Sequence, residues 1–261
     1  MVTALPAEPE NIVLSCRDVS FAYLDRYPAL VDVSLRISVG ESVALLGANG
    51  SGKSSLLKVL AGLVFTTSGT VSALGQPLSE DVLADPKANA ALRSRLGFVF
   101  QRAEAQLFSA SVRAELLFGC RQLGLSKADS ERRLDDVASM LGLDEVLDRS
   151  PVHLSGGQQK RVAIGSVLVM NPQVLLFDEP TAALDPRTTA WLVQLLDQLH
   201  NAGRTVVLAT NDLKLAARAE RCLVLGEDHR IVADGPSGQI LADRDLLERT
   251  NLASSWEPAE P

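Results

Sequence analysis

A chain of 261 residues, 46% hydrophobic and 22% charged, has the composition of an ordinary globular protein and enough length to enclose a substantial core. Its formal charge of −7 argues against a molecule whose main task is neutralising nucleic-acid phosphates, so neither DNA nor RNA is an expected partner. Cys16, Cys120 and Cys222, and equally His153, His200 and His229, are too few and too scattered for a disulfide framework, a CxxC site or a zinc cluster, and they fit a reduced cytoplasm.

The N-terminal MVTALPAEPE has no basic region followed by an apolar run and does not read as a secretory signal. Apolar-polar alternation over Ile12–Tyr23 and again over Leu35–Val39 predicts antiparallel strands, with Tyr27-Pro28 in the turn between them. The short apolar run Ser42–Leu46 reads as a buried parallel strand, followed by a glycine-rich turn and a helical pattern through Leu56, Leu57, Leu60 and Leu63. From Pro86 to Met170 the pattern turns helical and charged; in KADSERRLDDVASMLGL, Leu134, Val137 and Leu141 share one face, which predicts a helical insertion. Parallel-strand signals return at Val174–Phe177, Thr205–Thr210 and Arg221–Leu225, with a helix over Trp191–His200 between them. The tail ADGPSGQILADRDLLERTNL holds two short helical patterns, and the closing SSWEPAEP is polar enough to fray. No apolar stretch approaches the ~18–20 residues of a membrane span, so any crossing of a membrane falls to other chains.

Chemistry enters at Gly47-Ala48-Asn49-Gly50-Ser51-Gly52-Lys53-Ser54, a full G-x-x-x-x-G-K-[ST] pattern in the strand-to-helix context it requires. Glycines let successive main-chain N–H groups point into one concavity, and the positive end of the following helix adds to its attraction for phosphate. ATP is the expected ligand, with Lys53 on the outer phosphates, the Ser54 hydroxyl on Mg²⁺ and Ser55 next to it in the nucleotide site. Val174-Leu175-Leu176-Phe177-Asp178-Glu179 is an apolar strand that delivers two acids to a sheet edge. Asp178 fits the role of holding hydrated Mg²⁺ and Glu179 that of polarising the attacking water.

Between these motifs lies Leu154-Ser155-Gly156-Gly157-Gln158, and with it the chain resembles the nucleotide-binding subunits of ABC proteins over almost its whole length. The resemblance implies a P-loop NTPase α/β core around a mostly parallel sheet, an N-terminal antiparallel β subdomain and an inserted helical subdomain at about 86–170. It puts the ATPase domain at 10–233 and leaves 234–261 as a helical tail and a candidate for dimer contact. It implies head-to-tail docking with a second ATPase subunit, so that Ser155, Gly157 and Gln158 act on the partner's ATP. Tyr23 resembles the aromatic that stacks on adenine, Gln101 in FVFQ the glutamine that links Mg²⁺ and water to transmembrane subunits, and Asp185 in TAALDP the aspartate that couples the two ATP sites.

The stretch QRAEAQLFSASVRAELLFGCRQLGLS is most similar to energy-coupling-factor importers, although fewer acids follow the glutamine and Ala110 stands where a proline is typical. Such importers take up vitamins or transition-metal ions. The implied partners are a transmembrane scaffold and a small substrate-capturing membrane protein, and the implied place is the cytoplasmic face of a membrane. Other ABC roles, in an exporter, on ribosomes or DNA, or as a nucleotide sensor, stay open. One position departs from the family: VVLATNDL puts Asn211 where a histidine is expected. Asparagine is shorter and cannot carry a proton, which implies slow hydrolysis at this chain's own loop and an asymmetric heterodimer. The alternatives are a tolerated substitution or one introduced to trap nucleotide.

Overall fold

A computed structural model describes residues 11–253; the expectations for MVTALPAEPE and SSWEPAEP lie outside the described residues. Strands β1 (Ile12–Tyr23) and β2 (Tyr27–Ser38) form a long antiparallel hairpin. Its turn is Leu24-Asp25-Arg26, with Leu24 and Asp25 both at φ 53°, and not Tyr27-Pro28 as the sequence suggested. Tyr27 and Pro28 already belong to β2, paired with Tyr23 and Ala22. The strand tolerates Pro28 because β2 lies at an edge of its sheet, where a missing N–H breaks no ladder.

Strand β3 (Ser42–Leu46) leads through the glycine loop into helix α1 (Lys53–Leu60). Leu56, Leu57 and Leu60 are fully buried, each contributing roughly 1.5–3 kcal/mol. The helix ends before Leu63, which is 40% exposed, because Gly62 at φ 60° turns the chain away. Strands β4 (Ser68–Ala73) and β5 (Gln76–Pro77), which the sequence pattern does not reveal, extend the first sheet to the order β2-β1-β4-β5. Helices α2 (Glu80–Leu83) and α3 (Pro86–Arg95) follow.

The expected helical insertion is interrupted at its start by β6 (Leu96–Val99), a strand of the central sheet paired parallel with the strand at Val174–Asp178. Four residues are too short for a two-residue period to stand out. Gly97 is required there: a Cβ would fall 2.3 Å from Val167 Cγ1. Helices α4 (Val112–Gln122), α5 (Lys127–Leu141) and α6 (Gly156–Leu168) then pack together, with Leu134, Val137 and Leu141 buried as the periodicity predicted.

The sheet resumes with β7 (Val174–Asp178), α7 (Pro186–Asn201), β8 (Thr205–Ala209), α8 (Leu213–Ala216), β9 (Arg221–Leu225) and β10 (Ile231–Pro236), and the chain closes with α9 (Ser237–Ala242) and α10 (Arg244–Arg249). The order is β10-β9-β3-β8-β7-β6, parallel except for β10, which pairs antiparallel with β9. Alternation along the strands fills two cores. Leu46, Phe177, Leu208 and Val224 face α4–α7, while Leu45, Leu176, Val207 and Leu225 face α1 and the four-stranded sheet. The carboxyl ends of β3 and β7, with β8 between them, therefore open on the same edge of the sheet beside the start of α1, where crevice sites form in such sheets.

Candidate active site

The loop after β3 is held tight by its glycines. Gly52 sits at φ 108°, and a Cβ there would lie 2.2 Å from Ala29 O. Gly52→Ala is expected to lower stability by about 1–3 kcal/mol and to spoil the loop, a change read from thermal unfolding with and without ATP. An unaltered melting temperature and an unaltered response to ATP would contradict it.

Lys53 is 5% exposed, and its Nζ donates to Gly47 O at 2.7 Å and Ala48 O at 3.1 Å. The same nitrogen is 3.6 Å from Glu179 Oε1. Burial lowers the Lys53 pKa from its ordinary value, opposed by the charges of Glu179 and Asp178. The next residue, Ser54, donates from Oγ to Asp178 Oδ1 at 2.6 Å. Asp178 is the last residue of β7 and is 5% exposed. Glu179 leaves the strand at φ 42°, held by its N–H to Ala209 O at 2.9 Å. Its carboxyl pKa is raised, chiefly by burial, against the pull of Lys53 and a main-chain hydrogen bond from Asn211.

A cleft of about 640 Å³ opens above these groups, within the range of roughly 300–1,000 Å³ common for small-molecule sites. Of the residues predicted from sequence, Tyr23, Asn49, Gly50, Gly52, Lys53, Ser54, Ser55, Gln101, Glu179 and Asn211 line it. Tyr23 stands at the rim, 39% exposed, its hydroxyl 3.2 Å from Ser55 Oγ and its ring edge-on to Phe21. Asn211 Nδ2 donates to Asn49 Oδ1 at 3.5 Å, a long hydrogen bond between two residues of the lining. Gly47, Ser51 and Asp178 are not in the lining, though Gly47 and Asp178 bond to Lys53 and Ser54, which are; Ser51 Oγ is buried and without a partner among the described residues. Tyr27, Pro28, Ala29 and Ala182 also line the cleft and were missed. The first two were assigned to a turn, and no local signal marks the others.

Ser155, Gly157, Gln158 and Asp185 are not in this cleft. Ser155 caps α6 through a reciprocal capping box with Gln158, as the S-x-x-Q spacing allows. Asp185 caps α7, accepting from the N–H groups of Arg187 and Thr188 and from the Thr188 hydroxyl, which hold its pKa below the usual range. A Cβ on Gly157 would lie 2.9 Å from Thr188 Oγ1, so the two helix starts touch. Among the described residues no helix is long and apolar enough to cross a membrane.

A parallel sheet whose first βα turn is a glycine phosphate loop, with a strand-end acid bonded to the loop's serine, defines a P-loop nucleotide-binding protein. Residues 30–182 match the ABC transporter family. The chain is 44% identical to the nickel import ATP-binding protein NikO of Rhodobacter capsulatus, over 93% of this chain and 96% of that protein. It is 36% identical to the energy-coupling factor transporter ATP-binding protein EcfA of Methanothermobacter thermautotrophicus, over 92% and 76%. The structure of cbiO1 from Clostridium perfringens, described as part of the ABC transporter complex cbiONQ, superposes with a TM-score of 0.78 at 33% identity, covering 93% of this chain and 95% of that one. The chain belongs to the ABC transporter family of ATP-binding, ATP-hydrolysing subunits.

Proposed function

We propose that this chain is the ATPase of an energy-coupling-factor importer. On this reading it works at the cytoplasmic face of a membrane and powers uptake of a vitamin or transition-metal ion through a transmembrane scaffold and a small substrate-capturing membrane protein. The observation that carries the proposal is the convergence of Lys53, the Ser54–Asp178 pair and Glu179 on one cleft, in a chain whose relatives are named for nickel import and energy coupling.

The loop amides and Lys53 bind the phosphates of ATP, and Tyr23 packs against the base. Ser54 Oγ and the Asp178 carboxylate, 2.6 Å apart, are hard oxygen donors of the kind Mg²⁺ takes, so the set fits that ion, with Gln101 at the cleft's edge as a further oxygen. Mg²⁺, when bound, supplies charge neutralisation on the outer phosphates. Glu179 orients and deprotonates the attacking water. Ser155, Gly157 and Gln158 stand outside this chain's own cleft, which supports their closing over the ATP of a second ATPase subunit, with Asp185 coupling the two sites. We read 10–233 as the ATPase domain, about 86–170 as its helical subdomain apart from the sheet strand β6, and 234–261 as the tail.

Asn211 makes this chain's own site the slower one of an asymmetric pair. Its amide already donates to Asn49 Oδ1 at 3.5 Å and does not gain or lose a proton near neutral pH, unlike an imidazole. Asn211→His is expected to raise single-turnover hydrolysis at this site about tenfold or more; an unchanged rate would remove the impairment reading. The whole proposal is tested by isolating the tagged protein from its own cells in mild detergent. Recovery with a second, distinct ATPase, a polytopic scaffold and a small membrane protein supports it. Recovery only with itself, ribosomes or DNA-bound proteins overturns the importer and leaves the ATPase.

A further inference from the structure

The most unusual buried charge outside the cleft is Lys160, one turn into α6. It is 2% exposed, and its Nζ donates to two main-chain carbonyls, Phe100 O at 3.2 Å and Gln101 O at 3.1 Å. A buried ammonium is costly unless hydrogen-bonded, and an apolar side chain of similar length fills such a space more cheaply. Burial drives the Lys160 pKa down to about 8, against the charges of Asp178 and Glu104. The same connection is tied to α6 a second time. Gln106 Nε2 donates to Ala163 O at 2.7 Å and to Ser166 Oγ at 3.1 Å, while its Oε1 accepts from Phe100 N at 3.3 Å.

Residues 100–106 are thus stitched to α6 at both ends, and Gln101 within them lines the ATP cleft. The start of α6, one turn before Lys160, is the Ser155–Gln158 capping box, and Gly157 within it abuts Thr188, whose hydroxyl binds Asp185. A backbone carbonyl held by an ammonium cannot shift without breaking a charge-assisted bond, which is about twice as strong as a neutral one.

We propose that Lys160 is a positioning residue for ATP hydrolysis: it locks the Gln101 main chain to α6, so that Gln101 in this chain's cleft and the Ser155–Gln158 edge offered to the second subunit move as one body. The inference rests on the function proposed above for that edge. It is a mechanical link: the Lys160 ammonium is bonded to two main-chain carbonyls and does not line the cleft.

Two variants of the full chain, assayed in the complex isolated from its cells, test it. Lys160→Met keeps the volume and removes the donors; Lys160→Gln keeps an uncharged NH2 donor group. Lys160→Met is expected to lower kcat about tenfold with the KM for ATP changed less than twofold, and Lys160→Gln to recover part of the loss. Hydrogen exchange at 100–106 is expected to quicken at least tenfold in Lys160→Met, with α1 and β3 unchanged. A kcat within twofold of wild type, or a loss of kcat accompanied by faster exchange throughout the sheet, overturns the link. If the wild-type complex does not hydrolyse ATP, the functional reading fails, and exchange on the full chain still decides the clamp: unaltered protection at 100–106 in Lys160→Met rejects it.

Discussion

Glu179→Gln is expected to slow ATP hydrolysis by about 10²–10⁴-fold, the contribution of a well-placed general base, or roughly 3–5 kcal/mol of barrier, while ATP still binds. Glutamine preserves the shape and accepts the same main-chain hydrogen bond from Asn211, but it cannot take a proton from water. Everything around Glu179 serves to hold that carboxylate in one place. Its backbone is kept at φ 42° by the bond to Ala209 O, a conformation that costs on the order of 1–3 kcal/mol for a residue other than glycine. Its side chain is only 13% exposed and stands 3.6 Å from Lys53 Nζ. Burial is the largest influence on its pKa and makes the carboxylate a better proton acceptor. Because the Asn211 site is itself expected to be slow, the comparison is made twice, in the natural chain and in the Asn211→His background. A single-turnover rate within tenfold of the parent in both backgrounds would show that Glu179 is not the base.

Lys53→Ala is expected to weaken ATP binding about 100-fold or more, measured by calorimetric titration of the full chain. A lysine on phosphate makes charge-assisted hydrogen bonds of about 1.5–3 kcal/mol each, and a loss of about 2.7 kcal/mol is already 100-fold. A second effect acts in the same direction. The ammonium holds Gly47 O and Ala48 O, so its removal also leaves the loop carbonyls without their donor and lets the concavity relax. Lys53→Arg does not rescue binding, because a side chain confined at 5% exposure has no room for a guanidinium fork. Binding within fivefold of wild type would mean that the loop amides alone carry the affinity.

Much of the core was legible because its signals are contiguous. The phosphate loop and the apolar run into Asp178-Glu179 each need only neighbouring residues, and each appears where the pattern put it. The failures have the same root. Pro28 reads as a turn residue until β2 is known to lie at a sheet edge. Strand β6 is too short to interrupt helical periodicity, and β10 gains its strand character from pairing with β9.

The site divides in the same way. From sequence alone come the residue types that bind phosphate and a hard cation, because main-chain geometry and side-chain chemistry within a few residues determine them, and the order of the motifs carries the resemblance to ABC proteins. Only the tertiary structure could bring Ser54 to Asp178, Tyr23 to Ser55 and Asn211 to Asn49, set Ser155–Gln158 apart from the cleft, and bury Lys160 beneath Gln101. Those distances depend on how separate strands and helices pack, and packing is a through-space property that no local period encodes.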